Sequence, residues 1–476
     1  MTLRCSDPAA ESALRLLAGQ AFSRAGGAPL VLGNSARILK DAGEHYPEWL
    51  AAIGAAQRTI FFENYIFADD EVGREFVAAL TAKARTGVRV RVIYDWLGSL
   101  GISRKVWRPL VEAGGEVRCF NPPRLASPLG WLTRDHRKML AVDGCIGFVT
   151  GLCVSRKWLG DPTRGIAPWR DTGIEMRGPA VVGIEQAFAQ MWAAIGPPIA
   201  ADELTQPGQI GDAGDVALRV LAAVPNIAAL YRLDQLIAAM ARERLWLTDA
   251  YFIGMAPYVQ ALRAAALDGV DVRLLVPGSS DLPVIRSLSR SGYRPLLEAG
   301  IRVFEWNGSM LHAKTAVADG RWARIGSSNL NVASWLGNYE LDAAVEDRPF
   351  ATAMERMHEE DIANATEIVL DARRGVCAAG GATRARRARN GGSTARVAAG
   401  ALRIGNTVGA AIADRRVLGP AEAGIMAVAG LALLAVAVIG ILWPLALALP
   451  LALLAGWAAV SLLIRARRLH AARRRK

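Results

Sequence analysis

The sequence predicts an α/β protein made of two tandem α/β halves, followed by a C-terminal transmembrane helical hairpin. Three observations predict this fold class: an internal repeat, the alternation of strand-like and helix-like segments within each copy, and a long uncharged run near the C-terminus. The chain has 476 residues, 52% of them hydrophobic, so it can bury a large core. This composition excludes a disordered protein.

The internal repeat consists of matching segments that recur in the same order. Segment 76–94 (FVAALTAKARTGVRVRVIY) matches segment 258–276 (YVQALRAAALDGVDVRLLV), and each reads as an amphipathic helix, a glycine and a buried strand. A strand-like run precedes each segment, at 58–62 and at 244–247. Because strands and helices alternate, mostly parallel sheets covered by helices are expected.

Composition shifts along the chain set the predicted boundaries. The glycine-containing polar stretch 205–215 is the expected joint between the halves, and a flexible basic linker rich in Ala, Gly and Arg follows the second half. The predicted units are a first half at 1–208, a second half at 209–372, a linker at 373–418, a membrane hairpin at 419–464 and a basic tail at 465–476.

The hairpin prediction rests on residues 424–464, which contain no charged side chain. At about 1.5 Å per residue this run can cross about 30 Å of hydrocarbon twice. Arginines flank both ends, at 415–416 and at 465–468, so the positive-inside rule places both flanks and the two α/β halves on the cytoplasmic face of the cytoplasmic membrane. The alternative is a helical pair buried in a soluble core.

The cysteines and the first residues favour the same side of the membrane. None of the five cysteines forms a C-x-x-C pair, and a chain of this size needs no disulfide framework. The first twenty residues contain Asp7, Glu11 and Arg15 and lack the apolar region of a signal peptide. Reduced thiols and a cytosolic N-terminus are therefore expected.

A duplicated H-x-K-x-x-x-x-D motif carries the candidate chemistry. Its residues are His136, Lys138 and Asp143 in the first half and His312, Lys314 and Asp319 in the second. On an extended strand, side chains two residues apart share a face, so each histidine points the same way as its lysine. The aspartates lie at odd separation from the histidines and are predicted to hold the turn of the motif. The three other histidines, His45, His358 and His470, are predicted to be surface residues.

The paired motifs resemble the phospholipase D superfamily, in which two such motifs meet at a pseudo-twofold interface to form one active site. The resemblance covers roughly residues 50–370. It implies that one histidine, taken as His136, attacks phosphorus to form a phosphohistidine. The other, His312, would protonate the leaving alcohol and then activate the acceptor. Lys138 and Lys314 would neutralise the phosphate oxygens, so no metal cofactor is expected.

The resemblance extends to polar residues beyond the motifs. Ser327 and Asn329, in the sequence G-S-S-N, would donate hydrogen bonds to the phosphate, whereas Cys153 stands at the first-half position where asparagine is usual. Glu340 lies 28 residues beyond the second motif histidine, and Asp171 lies 35 residues beyond the first. Both spacings look like those of the acids that orient the histidines in this superfamily.

Charge and context indicate a lipid substrate. Residues 384–476 contain 15 Lys and Arg against two acidic residues, a net of +13, which leaves 12 − 13 = −1 for residues 1–383. A nuclease needs positive charge around its active site, whereas basic segments beside a hydrophobic hairpin bind anionic lipid headgroups. The expected partners are phosphatidylglycerol, other anionic phospholipids and the membrane, and not nucleic acid; the oligomeric state stays open.

The W-R-D-T sequence at 169–172, followed by R-G-P-A at 177–180, resembles bacterial cardiolipin synthases, although many of these carry their membrane helices at the N-terminus. The implied function is a phosphatidyltransferase that makes cardiolipin from two phosphatidylglycerol molecules and releases glycerol. One alternative is a phospholipase D that hydrolyses phospholipids to phosphatidic acid. Further alternatives are a nuclease of the superfamily and a membrane scaffold with a decayed site, for which Cys153 is the one supporting feature.

Overall fold

The fold is given by a computed structural model. It describes residues 18–123, 133–279, 289–290, 292–371 and 376–379, together with isolated helical residues between 431 and 467. The chain divides into two compact units, one formed by residues 1–120 and 134–395 and the other by residues 121–133 and 396–476. Except for residues 121–133, the residues of both predicted halves lie in the first unit.

The C-terminal predictions fall mostly outside the described residues. This holds for the linker at 373–418, the hairpin at 419–464 and the basic tail at 465–476. In the described part of the chain, no helix combines the length and the apolar character needed to cross a membrane.

Residues 18–26 are helical and precede the first strand. The first half then contains β1 (Val31–Lys40), α1 (Asp41–Ala55), β2 (Thr59–Asn64), α2 (Glu71–Arg85), β3 (Arg89–Asp95), α3 (Arg104–Glu112), β4 (Glu116–Phe120), β5 (Lys138–Val142), β6 (Ile146–Thr150), α4 (Arg156–Leu159), β7 (Thr172–Arg177) and α5 (Val181–Ala194).

The second half repeats this order with a π-helical turn in place of α4, and it adds two strands after its last helix. It contains β8 (Val216–Ala223), α6 (Ala229–Met240), β9 (Arg244–Thr248), α7 (Ala256–Leu267), β10 (Asp271–Pro277), α8 (Arg294–Glu298), β11 (Arg302–Trp306), β12 (Thr315–Ala318), β13 (Trp322–Gly326), β14 (Glu340–Glu346), α9 (Arg348–Ala363), β15 (Ala365–Leu370) and β16 (Val376–Ala378). A π-helical turn, Ala333–Gly337, precedes β14.

The sixteen described strands form one sheet in the order β16-β15-β11-β10-β9-β12-β13-β14-β8-β1-β7-β6-β5-β2-β3-β4. β1 and β8 pair antiparallel at its centre, and the strands on either side follow in mirrored order. Parallel pairing joins β2, β3 and β4 in one half and β9, β10 and β11 in the other, and the other described pairs are antiparallel. The prediction of mostly parallel sheets is therefore wrong. A helical crossover makes the two strands that it connects parallel. The strands that carry the motifs are joined to the next strand by tight turns, which make them antiparallel.

The strand–helix–strand unit β2–α2–β3 shows why the repeated segments fold as predicted. Asp70 caps α2, because its side chain accepts a hydrogen bond from the N–H of Gly73 at 3.0 Å. The helix buries Phe76 and Leu80 on one face, and its chain reverses through Gly87, whose φ of 89° suits glycine. The turn returns the chain to a buried strand beside β2.

Three large hydrophobic clusters form the core. Two of them lie mainly within one half each. The third draws on both halves and includes Phe61, Val149, Val317, Ile325 and Leu341. Complete burial of such side chains contributes about 1.5–3 kcal/mol each, so this shared cluster holds the halves together.

The motif aspartates lie at turns, as the odd spacing predicts. Asp143 has a φ of 55° and Asp319 a φ of 52°. The carboxylate of Asp143 accepts hydrogen bonds from the N–H groups of the three residues 57–59, and that of Asp319 from residues 242–244. Each aspartate therefore ties its motif to the beginning of the neighbouring strand and takes no place among the reacting groups.

Two histidines predicted to be exposed are buried. His45 lies on the inner face of α1 and donates from Nδ1 to the carbonyl of Asp41 at 2.7 Å. His358 stacks on Trp246 with ring centroids 5.5 Å apart. Burial lowers the pKa of His45 to about 4 and that of His358 to about 3, so both rings are neutral and pack as core aromatics. The prediction overlooked the helical periodicity around each residue. His470 lies outside the described residues.

Replacement of Asp319 by alanine is expected to lower the free energy of unfolding by about 2–3 kcal/mol, because three backbone donors lose their acceptor and alanine disfavours positive φ. Asp319→Asn keeps one acceptor oxygen and tolerates this φ, so a smaller loss is expected. Urea unfolding of both variants and the parent protein checks this. Equal stability of the alanine and asparagine variants would contradict the structural role of the carboxylate.

Candidate active site

Each motif histidine is attached to the opposite half by a backbone hydrogen bond. The N–H of His136 donates to the carbonyl of Tyr339 at 2.9 Å, and the N–H of His312 donates to the carbonyl of Arg170 at 2.7 Å. The residue that follows each of these carbonyl groups is acidic: Glu340 follows Tyr339, and Asp171 follows Arg170. The two exchanged contacts therefore bring an acid from each half to the histidine of the other.

The carboxylates complete this exchange. Oε2 of Glu340 lies 2.9 Å from Nδ1 of His136, and Oδ2 of Asp171 lies 2.7 Å from Nδ1 of His312. Each acid therefore faces the histidine of the other half, a pairing that the spacings along the chain leave open. Burial alone would raise the pKa of either carboxyl, but the facing histidine and the nearby lysines lower both below their ordinary values. Both acids are therefore ionised.

Both imidazoles are neutral in the resting site. Burial is the main cause that lowers the pKa of His136 to about 4 and that of His312 to about 3, against the opposing effect of the carboxylates. An ionised carboxylate only accepts hydrogen bonds, so Nδ1 carries the proton in each ring. Nε2 consequently presents a lone pair, which is the form that a nucleophile or a general base requires.

Both lysines are buried beside the histidines. Nζ of Lys138 donates to the carbonyl of His136 at 2.5 Å, and Nζ of Lys314 donates to the carbonyl of His312. Each lysine also affects the opposite ring, because Lys314 lowers the pKa of His136 and Lys138 lowers that of His312. The two motifs therefore share one electrostatic site. Burial, with Lys138 contributing, lowers the pKa of Lys314 to about 8.

Ser327 has a different contact from the one predicted. Its hydroxyl donates to Oε2 of Glu340 at 2.5 Å and accepts from the N–H of Leu341 at 2.9 Å. The hydroxyl therefore holds the acid that faces the first motif histidine, because both of its hydrogen-bonding partners are protein groups. The hydroxyl hydrogen of Ser327 is thus directed to Glu340, and donation to a phosphate stays a prediction for Ser327.

Asn329 and Cys153 give the two halves unequal linings. Nδ2 of Asn329 lies 3.5 Å from the hydroxyl of Ser334, and Oδ1 is a buried acceptor with no partner among the described residues. Cys153 is buried, and burial raises its pKa to about 11, so the thiol is uncharged. Its carbonyl accepts from the hydroxyl of Tyr46 at 2.6 Å. The second half therefore offers an amide where the first offers a thiol.

Aromatic residues that the sequence reasoning missed surround the histidines. Tyr65 packs edge-on against His136, with ring centroids 4.9 Å apart, and Tyr251 packs against His312 at 5.9 Å. These tyrosines follow β2 and β9, the matching strands of the two repeats, so the repeat itself carried a signal for them. Trp158 and Trp169 also contact the second histidine, and nothing in the repeat points to them.

This duplicated α/β fold, with two histidines that each face a buried acid and lie beside a lysine, defines a member of the phospholipase D superfamily. The family model described as "Cardiolipin synthase, PLD-like domain" matches residues 49–160 and 234–362. The chain belongs to this family, and the predicted resemblance is confirmed.

Similar proteins support this membership. The chain is 34% identical to a cardiolipin synthase of Halalkalibacterium halodurans, over 66% of its own length and 63% of that protein. It is 33% identical to cardiolipin synthase A of Pseudomonas fluorescens strain SBW25, over 73% of each chain. The match thus spans just under two thirds of the length of the first of these relatives. Phosphatidylserine synthase of Haemophilus influenzae has the same fold, with a TM-score of 0.57 at 13% identity, over 74% of this chain and 92% of that one.

Replacement of Lys314 by methionine is expected to stabilise the protein at pH 7. Burial lowers the pKa of Lys314 from its ordinary value of 10.5 to about 8, so the unfolded chain binds more protons between these values. The charged lysine therefore destabilises the fold at pH 7, on the order of 1–3 kcal/mol after the loss of its hydrogen bond is included.

Urea unfolding of Lys314→Met and the parent protein, at pH 7 and pH 10, measures this difference. The gain in the free energy of unfolding should be smaller at pH 10, where the parent lysine is uncharged in the folded state and loses most of its destabilising effect. A variant that is less stable than the parent at pH 7 would mean that the attraction of Lys314 to Asp171 outweighs its burial.

Proposed function

We propose that the protein is a phosphatidyltransferase that makes cardiolipin from two phosphatidylglycerol molecules and releases glycerol. The observation that carries the proposal is the pair of neutral imidazoles, each held at Nδ1 by an acid and sharing two lysines. Two such bases in one site suit a displacement that occurs in two steps. The names of the similar proteins support cardiolipin as the product.

The first step forms a covalent intermediate on the enzyme. Nε2 of His136 attacks the phosphorus of the first phosphatidylglycerol, a nitrogen–phosphorus bond forms, and the bond from phosphorus to the glycerol oxygen breaks. Lys138 and Lys314 neutralise the charge on the non-bridging oxygens, and Glu340 stabilises the positive charge that develops on the attacking ring. This intermediate is a phosphatidyl-histidine.

Departure of glycerol requires a proton on its oxygen, and His312 supplies it. The ring is neutral at rest, so it must gain a proton as the substrate binds. A phosphate anion beside an imidazole favours the charged form, which raises the pKa of the ring. The substrate therefore prepares its own general acid, with Asp171 holding the ring in place.

The second step reverses the proton transfer. His312, now neutral, removes a proton from the free glycerol hydroxyl of a second phosphatidylglycerol, and that oxygen attacks phosphorus. The bond from phosphorus to His136 breaks and cardiolipin leaves. His312 then releases to solvent the proton that it took from the alcohol, and both rings return to their neutral resting state. Water in place of the lipid alcohol would yield phosphatidic acid, which is the outcome that defines the hydrolase alternative.

We further propose that the reaction takes place at the cytoplasmic membrane. The uncharged run at 424–464 and the flanking arginines support a C-terminal membrane hairpin. Anionic lipids are the expected partners, because the basic residues are concentrated beside this run while residues 1–383 carry a net charge of −1.

Purified protein in mixed micelles with labelled phosphatidylglycerol is expected to form cardiolipin and free glycerol in equal amounts. His136→Ala should abolish both products, because the intermediate cannot form. Lipid chromatography of the products, with the variant as the control, checks this. Phosphatidic acid without cardiolipin would support the hydrolase alternative, and no turnover of this lipid by the folded protein would contradict the proposed substrate.

A phosphatidyl ester of p-nitrophenol distinguishes the roles of the two histidines. Its leaving group needs no proton, so His312→Ala is expected to release about one equivalent of p-nitrophenol in a burst and then stall, because the acceptor is not activated. His136→Ala should show no burst. Stopped-flow absorbance measures both. A burst in His136→Ala and none in His312→Ala would exchange the assignment.

A further inference from the structure

Each catalytic acid has a second hydrogen-bond donor besides its histidine. Oδ2 of Asp171 faces Nδ1 of His312 at 2.7 Å and also accepts from the indole nitrogen of Trp158 at 3.1 Å. On the other side of the site, the hydroxyl of Ser327 donates to the oxygen of Glu340 that faces the first motif histidine. Both acids are therefore held from two directions.

Trp158 and Ser327, the donors to the two acids, do not occupy matching positions in the repeat. The residue that corresponds to Ser327 in the first half is Gly151. A Cβ atom at Gly151 would lie against Oδ1 of Asp171 at a separation that real side chains do not adopt. A serine at this position would displace the carboxylate of Asp171, so the first half takes its donor from elsewhere. Trp158, which is buried in the short helix α4, provides it.

We propose that Trp158 is a positioning residue for the reaction, whose indole N–H holds Asp171 against His312 and shares the charge of this carboxylate. The proposal deepens the proposed function, because it concerns the general acid and base of that same site. Its effect on the ring of His312 is a property of the resting protein and can be measured without turnover.

The groups that face His312 determine the sign of the effect. Asp171 stabilises the charged ring, while Lys314 from the same strand and Lys138 from the other half oppose it. The rings of Tyr251 and Trp169 carry no charge and contact His312 at 5.9 and 5.8 Å. Asp171 is thus the one anion among these neighbours. The indole N–H of Trp158 shares the charge of the Asp171 carboxylate and so weakens the attraction of this carboxylate for the protonated ring. Loss of the N–H should therefore raise the pKa of His312.

Trp158→Phe removes the N–H and keeps an aromatic ring beside His312. In the parent protein the ring centroids of Trp158 and His312 lie 5.5 Å apart. The matched control is Trp169→Phe. The ring centroid of Trp169 lies 4.7 Å from that of Trp158, but Trp169 is not among the hydrogen-bond partners of Asp171. The measurement is an NMR titration of the full chain in detergent micelles with labelled histidine. His312→Gln identifies the resonance.

The expected result is a rise in the pKa of His312 by about 0.5–1 unit in Trp158→Phe and no change in the control. Cardiolipin formation should fall about tenfold in kcat with little change in KM, and the limb of the pH profile that reports the protonation of His312 should move to higher pH. In an Asp171→Asn background, Trp158→Phe should change the pKa of His312 no further, because the effect acts through the carboxylate.

An unchanged or lowered pKa of His312 in folded Trp158→Phe would overturn the proposal, as would an equal shift in Trp169→Phe. If Trp158→Phe does not fold, Trp158→Met fills the space without a donor and is compared with Trp169→Met in the same way. The titration needs no substrate, so a protein that fails to make cardiolipin would contradict the proposed function and leave this measurement intact.

Discussion

The exchange of carboxylates between the halves is the constraint on which the site depends. His136 is held by Glu340 and His312 by Asp171, so neither half contains a complete catalytic pair. The backbone bonds beside these acids fix the register, and the cluster shared by both halves keeps them together. A shift of one residue in a strand would turn its side chains to the opposite face. The central pairing of β1 with β8 therefore serves the chemistry as much as the fold.

The same exchange explains how so many ionisable groups stay buried in one place. A buried charge is costly unless an opposite charge or a hydrogen bond compensates it. Here the two acids and two lysines balance in charge, and the imidazoles between them are neutral. In the proposed mechanism, an anionic phosphate would bind beside two lysines and two bases that the fold already holds in place. The large apolar core stabilises the fold that holds these groups.

The sequence predicted the repeat, both motifs and the identity of the acids, because these features depend on residue types at fixed intervals along the chain. It did not predict that each acid faces the histidine of the other half. An interval of 28 or 35 residues does not indicate towards which half the chain turns. His45 and His358 were misplaced because a histidine on an apolar helix face can be neutral and buried. Trp158 had no signal, since it lies in a four-residue helix outside the repeated segments.

The differences between the halves matter as much as their likeness. A reaction in two steps needs one ring that becomes covalently bound and another that moves a proton, so identical surroundings would leave the roles undefined. The second half keeps a hydroxyl and an amide, at Ser327 and Asn329, where the first has Gly151 and Cys153. The hydroxyl of Ser327 donates to Glu340, the acid of the first histidine, whereas the second histidine lies among indole rings. Under the proposed mechanism, this apolar setting suits the ring that transfers protons to and from an alcohol while water stays excluded.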